Sequence, residues 1–402
     1  MKNSKIPINL ALYRKEKYQQ RGNSIMGNYY NPVNIKIDTM DVMEEVLHTI
    51  EPQISKIVLL HRGGDFSESP AGRNLYKYLE NYEVKQIEVN ISNPDVEDLF
   101  HYYKQIENVE YQCIVGIGGG SVLDLSKSLA ALKDMEIESV SALRTMIEQK
   151  QYAENQSVVP WIGIPTTSGT GSEVTCWATI WDRANGVKMS VDSEHLYAYA
   201  AIIDPTLTVT LPKGLTASTA LDALCHATEA YWSKSSNEIS RIYALEAIKR
   251  IVSNFEKVLH HPNELTYRNE IALGSLYAGL AFSNTRTTAC HSISYPLTLE
   301  LGMVHGIAAS ITLAKVMKIN FDSIIENDKL LQAFGVSSCS EVQGLIEHFH
   351  QLAGSSSKLR DYNANEEIIE KVAANAFTKG RMDNNPVALT QEDVKNILRS
   401  IY

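Results

Sequence analysis

Asp222 and His226 stand four residues apart in Leu221-Asp222-Ala223-Leu224-Cys225-His226-Ala227-Thr228-Glu229-Ala230-Tyr231, a stretch without glycine or proline. Good helix formers dominate it, and the Thr216–Thr219 run ahead of it can supply an N-cap. On a helix, a carboxylate and an imidazole at that spacing share a face and can hold a divalent cation from two sides. On spacing alone, a helix-surface ion pair is the simpler reading. Two more histidines, His291 and His305, lie downstream.

Two glycine-rich stretches carry a second kind of chemistry. Gly118-Gly119-Gly120-Ser121 follows an apolar run and opens a helical pattern. Glycines let backbone N–H groups approach a phosphate, and a helix N-terminus favours its charge. Gly116-Ile117-Gly118 starts like a dinucleotide fingerprint, but Ser121 stands where the third glycine belongs. Asp124 and Lys127 follow on the opening helix, suited to polar cofactor contacts or to a local i, i+3 ion pair. The second stretch, Pro165-Thr166-Thr167-Ser168-Gly169-Thr170-Gly171-Ser172-Glu173, has the hydroxyl density that ribose, phosphate or amide groups require. Each loop alone also reads as an ordinary turn; two after two strands are harder to dismiss.

The elements that must position these residues follow a strand–helix rhythm. Strands are expected at Val33–Ile37, Lys56–His61, Lys85–Val89, Cys113–Ile117 and Trp161–Pro165. Helices are expected at Met40–Ile50, Gly72–Tyr82, Asp95–Ile106 and Leu123–Ala131. Compact apolar runs alternating with helices predict a parallel sheet covered on its faces. From about Leu211 the pattern turns helical throughout, with helices expected at Glu238–Leu259, Glu270–Phe282 and Ile307–Asn320. The reading is a polar extension over 1–26, an α/β domain over 27–205 and an all-helical domain over 206–402, divided near Asp204-Pro205.

At 402 residues the chain suits two domains, and its 44% hydrophobic and 21% charged content is ordinary for a soluble globular protein. A net charge of −10 argues against a nucleic-acid partner. No apolar run approaches the ~20 residues that cross a bilayer, and Met1–Ser24 lacks the apolar segment of a secretory signal. Five scattered cysteines read as reduced thiols of a cytoplasmic protein. His195 reads as a surface residue. The sequence is compatible with a homodimer but does not set the oligomeric state.

Taken in order, Gly118-Gly119-Gly120-Ser121-x-x-Asp124-x-x-Lys127, the Pro165–Glu173 loop, Asp204-Pro205, Asp222-Ala223-Leu224-x-His226-Ala227-x-Glu229-Ala230-Tyr231, His305-Gly306 and a tail with Asn385-Pro386 resemble the iron-containing (group III) alcohol dehydrogenase family. The likeness covers about residues 27–402; single motifs are shared with glycerol dehydrogenases and dehydroquinate synthases. It implies a dinucleotide-binding α/β domain with a parallel sheet, a helical metal-binding domain and an active site between them. It implies metal ligands Asp222, His226, His291 and His305, holding Fe²⁺ or Zn²⁺, which the ligand types do not distinguish. It places Gly119, Gly120 and Ser121 along the cofactor pyrophosphate, with Gly118, Asp124, Thr166, Thr167, Thr170, Ser172 and Lys188 also on the cofactor side. The implied reaction moves a hydride between NAD(P)H and a carbonyl polarised by the metal.

Three features particularise that expectation. Many members carry a histidine four residues after the third ligand; here Tyr295 stands there, as proton donor or as aromatic cleft wall. The Lys56–Leu60 strand runs into His61-Arg62-Gly63-Gly64 with no carboxylate before Asp65. Arg62 can pair with a 2′-phosphate, so NADPH is favoured over NADH. The segment Asn284–Thr298 sets Arg286 among hydroxyls beside His291 and resembles the branch that includes phosphonoacetaldehyde reductases. Arg286 then meets an anionic aldehyde, phosphonoacetaldehyde being the sharpest candidate; Thr and Ser capping helices around an exposed arginine is the plainer reading. The competing functions are a general short-chain or diol dehydrogenase, a lyase using NAD transiently, and a silent dinucleotide or metal sensor.

Overall fold

The computed structural model of the chain describes residues 28–402 apart from 64, 65 and 67. The expected polar extension over 1–26 and Asp65 lie outside the described residues.

Six strands form one parallel sheet in the order β1-β8-β5-β4-β2-β3. They are β1 (Asn34–Ile37), β2 (Lys56–Arg62), β3 (Glu83–Val89), β4 (Cys113–Gly118), β5 (Trp161–Pro165) and β8 (Ala200–Ile203). Every residue of β4 and β5 is buried, as expected for continuous apolar runs covered by helices on both faces. The chain runs from β2 to β3 on one side, then returns to place β4 on the other side of β2. This reversal opens a crevice beyond the carboxyl ends of β2 and β4, where open α/β sheets bind ligands. Arg62 ends β2 there, and Gly118 ends β4.

A second, antiparallel pair, β6 (Trp177–Asp182) with β7 (Val187–Asp192), folds over this end of the sheet. The sequence reading missed this hairpin, although Asn185-Gly186 is a turn signal and Gly186 has φ +65°. It also missed β8 and the helix Val140–Glu148. The expected Met40–Ile50 helix is a 3₁₀ turn, Met40–Val42, followed by a short helix, Met43–His48.

The C-terminal region is helical. Helices Lys213–Trp232, Glu238–His260 and Leu265–Thr285 pack together, burying Leu221, Leu224, Ile248, Ile251 and Phe255. Each such side chain contributes about 1.5–3 kcal/mol over leaving it in water. Thr216–Thr219 do not cap the 213–232 helix, which starts after Pro212. Instead Thr219 Oγ1 donates to Leu215 O at 2.9 Å within the helix. The expected Ile307–Asn320 helix is two, His305–Ser310 and Leu313–Asn320. The Ser310 hydroxyl donates to Gly306 O at 2.7 Å and the Thr312 hydroxyl to Ala309 O at 3.3 Å, so side chains compete for carbonyls at the break. Among the described residues, no helix is long and apolar enough to cross a membrane.

Candidate active site

One cleft of about 530 Å³ runs from the β2/β4 crevice to the helical region. At its inner end, donor atoms of Asp222, His226 and His291 all lie within 4.8 Å of one another. Asp222 Oδ1 is 3.3 Å from His291 Nε2, 3.7 Å from His305 Nε2 and 4.0 Å from His226 Nε2. The four implied ligands, far apart in sequence, thus face one point. Gly306 makes this arrangement sterically feasible: a Cβ there would sit 1.9 Å from Ser218 O. Only glycine lets the 305–310 helix approach the 213–232 helix closely enough to bring His305 to Asp222.

The ring orientations suit a cation. His226 Nδ1 faces Gly169 O at 3.2 Å, and His291 Nδ1 is bound by the Glu229 carboxylate, leaving both Nε2 atoms for Asp222's side. Burial drives His226 down to about 3 and His305 down to about 4, against the pull of Asp222, so both stay in the neutral, ligating form. Burial would raise the Asp222 carboxyl, but the imidazoles facing it outweigh burial, above all His291, whose own pKa Glu229 and Asp222 raise to about 10, and keep it ionised. One carboxylate and three imidazoles fit Fe²⁺ or Zn²⁺.

The cleft's other end fits a dinucleotide. Gly119, Gly120 and Ser121 line it at the start of the Gly120–Ala131 helix, whose N-cap Gly119 offers no side-chain cap. Those helix N–H groups are therefore open to a phosphate. Opposite lie Thr166, Thr167, Thr170 and Ser172. A Cβ at Gly120 would stand 2.6 Å from the Thr170 methyl, so the loops close into a cradle that glycine keeps open.

Family models described as "Iron-containing alcohol dehydrogenase" and "Fe-containing alcohol dehydrogenase family, C-terminal" match residues 38–205 and 216–402. The NAD-dependent methanol dehydrogenase of Bacillus methanolicus is 32% identical over 71% of this chain and 76% of its own. The chain belongs to the iron-containing alcohol dehydrogenase family. The phosphonoacetaldehyde reductase of Streptomyces viridochromogenes is 28% identical over 73% of this chain and 77% of its own. The crystal structure of sulfoacetaldehyde reductase from Bifidobacterium kashiwanohense in complex with NAD⁺ superposes with a TM-score of 0.85, at 28% identity, over 94% of this chain and 99% of that one. The protein is an NAD(P)-dependent alcohol/aldehyde oxidoreductase, for which NAD(H) and a metal ion are the expected cofactors.

In this dehydrogenase several marked residues support the cleft's walls through their neighbours. Asp124 lines the cleft, but its carboxylate accepts from Ser172 Oγ at 2.6 Å and Thr179 N at 2.9 Å. Lys127 is fully buried and donates to Trp177 O, Ser172 O, Ser172 Oγ and Thr175 Oγ1 at 2.6–3.2 Å. The pair, 4.0 Å apart, ties the Gly120–Ala131 helix to the hydroxyl loop and to β6. Gly118 is not in the lining; a Cβ there would strike Val122, so it serves strand–helix packing.

Arg286 requires correction. It is absent from the cleft lining, its Nη2 pairs with Asp192 Oδ2 at 2.6 Å, and its guanidinium lies 4.9 Å from the Trp177 ring. The helix Leu265–Thr285 ends just before it, and its φ of +61° turns the chain so that its charge is spent on Asp192. Arg62, Lys188 and Tyr295 do line the cleft. Lys188 Nζ donates to Tyr295 Oη at 2.9 Å, and the phenol ring stacks on His305 with centroids 5.9 Å apart. Burial alone would raise the Tyr295 pKa, but Lys188, Arg381 and His291 outweigh it and bring it to about 7.

Two site residues escaped the sequence reading. Glu229 was visible in the helix motif, three residues after His226, but only folding shows it against His291 and the N-terminus of the Ala289–Leu301 helix. Arg381 gave no signal, lying in an irregular stretch before Asn385-Pro386. Cys225 and Cys290 are buried in the helical core and stand outside the ligand cluster.

Proposed function

We propose that this dehydrogenase reduces a small anionic aldehyde, with phosphonoacetaldehyde to 2-hydroxyethylphosphonate as the sharpest candidate. The observation that carries the reading is charge: Lys188 and Arg381 line the cleft beside the ligand cluster, while its two carboxylates among the described residues, Asp124 and Asp222, are engaged by Ser172 and by the cluster's own histidines. A cleft with unspent positive charge favours an anion. The phosphonoacetaldehyde and sulfoacetaldehyde reductases among its relatives act on aldehydes of that kind, which supports the same reading.

Asp222, His226, His291 and His305 would hold the cation, Fe²⁺ or Zn²⁺. When bound, the cation polarises the carbonyl oxygen and the nicotinamide supplies the hydride. Tyr295 holds a proton at Oη on the same wall as His305, with Lys188 fixing the direction of the phenol, and passes that proton to the product oxygen. Trp177, Trp181 and Phe282 keep water from the remaining wall. On wild-type protein, kcat/KM should favour phosphonoacetaldehyde over propanal by about tenfold or more, the range of one charge-assisted contact. A wild type that favours propanal or long apolar alcohols leaves only the general dehydrogenase.

The cofactor is proposed to be NADPH. Arg62 stands at the cleft's β2 end, and among the described residues no carboxylate lines the cleft there. Glu88 accepts from Asn90 at 2.9 Å outside that lining. Arg62→Ala should lower the NADPH-over-NADH ratio of kcat/KM by about tenfold, the loss of one charge-assisted contact to a 2′-phosphate. A wild-type preference for NADH removes this reading and turns attention to Glu88.

A further inference from the structure

Arg381 is a largely buried cation with no carboxylate paired to it among the described residues. It is 7% exposed and lines the cleft with Lys188, Tyr295 and His305. Its Nη1 donates to Gly380 O at 3.1 Å, and among the described residues no carboxylate stands within ion-pairing distance. Asp192, whose field reaches it, is already bridged by Arg286 at 2.6 Å and Lys150 at 3.6 Å. Withdrawing a guanidinium from water without a partner is costly unless an anion arrives with the ligand.

Its placement is also built. Thr378 N donates to Ser292 Oγ at 3.1 Å, anchoring the segment to the residue after the ligand His291. Asn384 Nδ2 donates to Thr285 O at 2.8 Å and Thr287 O at 3.0 Å. Asn385 and Asn320 exchange amide hydrogen bonds of 2.8 and 2.9 Å. Arg381 is thus held at a set position relative to the ligand cluster, at the base of a segment tied down on both sides.

We propose that Arg381 is the specificity-determining receptor for the substrate's anionic group, binding a phosphonate, sulfonate or carboxylate while the carbonyl end faces the ligand cluster. The inference rests on the anionic-aldehyde reading above and gives it a residue. A guanidinium presents a fork of donors that matches two oxygens of such a group, which an ammonium does not. Arg286 carries the same charge, but Asp192 has already taken it.

The test compares wild type with Arg381→Gln and Arg381→Lys on phosphonoacetaldehyde and propanal, with ethylphosphonate as a competitor of propanal reduction. In Arg381→Gln the kcat/KM ratio of anionic over neutral aldehyde should fall about 10- to 100-fold, mainly through KM. Because Arg381 also adjoins Tyr295, both aldehydes lose some rate, and the ratio isolates the anion contact. Arg381→Lys should recover part of it, and the ethylphosphonate inhibition constant should rise in step. NADPH affinity checks that each variant is folded; if the glutamine variant is not, the lysine variant and ethylphosphonate inhibition decide. A wild type that favours propanal and ignores ethylphosphonate overturns the substrate reading and this inference together. A wild type that favours the anion, with both variants retaining its selectivity, overturns Arg381 alone.

Discussion

His226→Ala should lower turnover by about 10³-fold or more and strip the bound divalent cation, while NAD(P)H still binds. A cation acting on a carbonyl oxygen is worth several kcal/mol of barrier, and about 4 kcal/mol is a thousandfold. His226 is a sound choice because its orientation is fixed from three sides. Gly169 O holds Nδ1, Phe282 stacks on one face with centroids 4.2 Å apart, and His291 stacks on the other at 4.3 Å. Alanine removes the Nε2 donor and leaves Asp222 with fewer partners against its burial. The dinucleotide cradle at Gly119–Ser121 and Thr166–Ser172 belongs to the α/β domain and meets that ring only through Gly169 O, so its phosphate-facing groups stay in place. Metal content, turnover and NAD(P)H affinity would be measured on the same preparation. Full turnover in chelated, metal-free wild type would sink the metal reading.

Glu229 should rank next, with effects on both activity and stability. Its carboxylate is fully buried and accepts from Thr288 Oγ1 and Cys290 N at 2.7 Å, from Thr288 N at 3.1 Å and from His291 Nδ1. It thus caps the N-terminus of the Ala289–Leu301 helix from a different helix, and the same negative charge complements that helix end. It also fixes which nitrogen of His291 faces Asp222. Burial would raise the Glu229 pKa, but His291 and the donors around it hold it below the usual carboxylate range. Glu229→Gln should cost about 10- to 100-fold in metal affinity or turnover, because the amide cannot serve His291 as an acceptor while keeping all the backbone contacts. Glu229→Ala should also cost about 3–5 kcal/mol of stability, since it leaves His291 and several buried donors unpaired. Denaturant unfolding, with activity and metal content, separates the two effects. An unchanged midpoint in Glu229→Ala would show that the carboxylate is not a structural cap.

The candidate site residues were largely legible because their local setting is strong. Asp222 and His226 share a face of one helix at any degree of burial, and Gly119–Ser121 open a helix after an apolar strand. Such features depend on backbone periodicity, which the sequence carries. Trp161–Pro165 was read as a strand to the residue because it is a short apolar run bounded by turn residues. The hairpin of β6 and β7 escaped because its residues mix polar and apolar types, and its packing over the sheet end, not its own pattern, makes it a strand pair.

The sequence by itself determined the candidate ligand types, the glycine loops, the alternation of strands and helices as far as β5 and the family. Only the tertiary structure decided how charge is distributed among them. Arg286 and Arg381 are the same residue type in polar stretches, yet one meets Asp192 and the other faces the cleft. Glu229 likewise differs from other helical carboxylates only through the helix end it meets. A charged side chain's role is set by its burial and by the sign of its nearest neighbours, which come from residues as far as 94 positions away, as Asp192 and Arg286 are, and no local pattern encodes that.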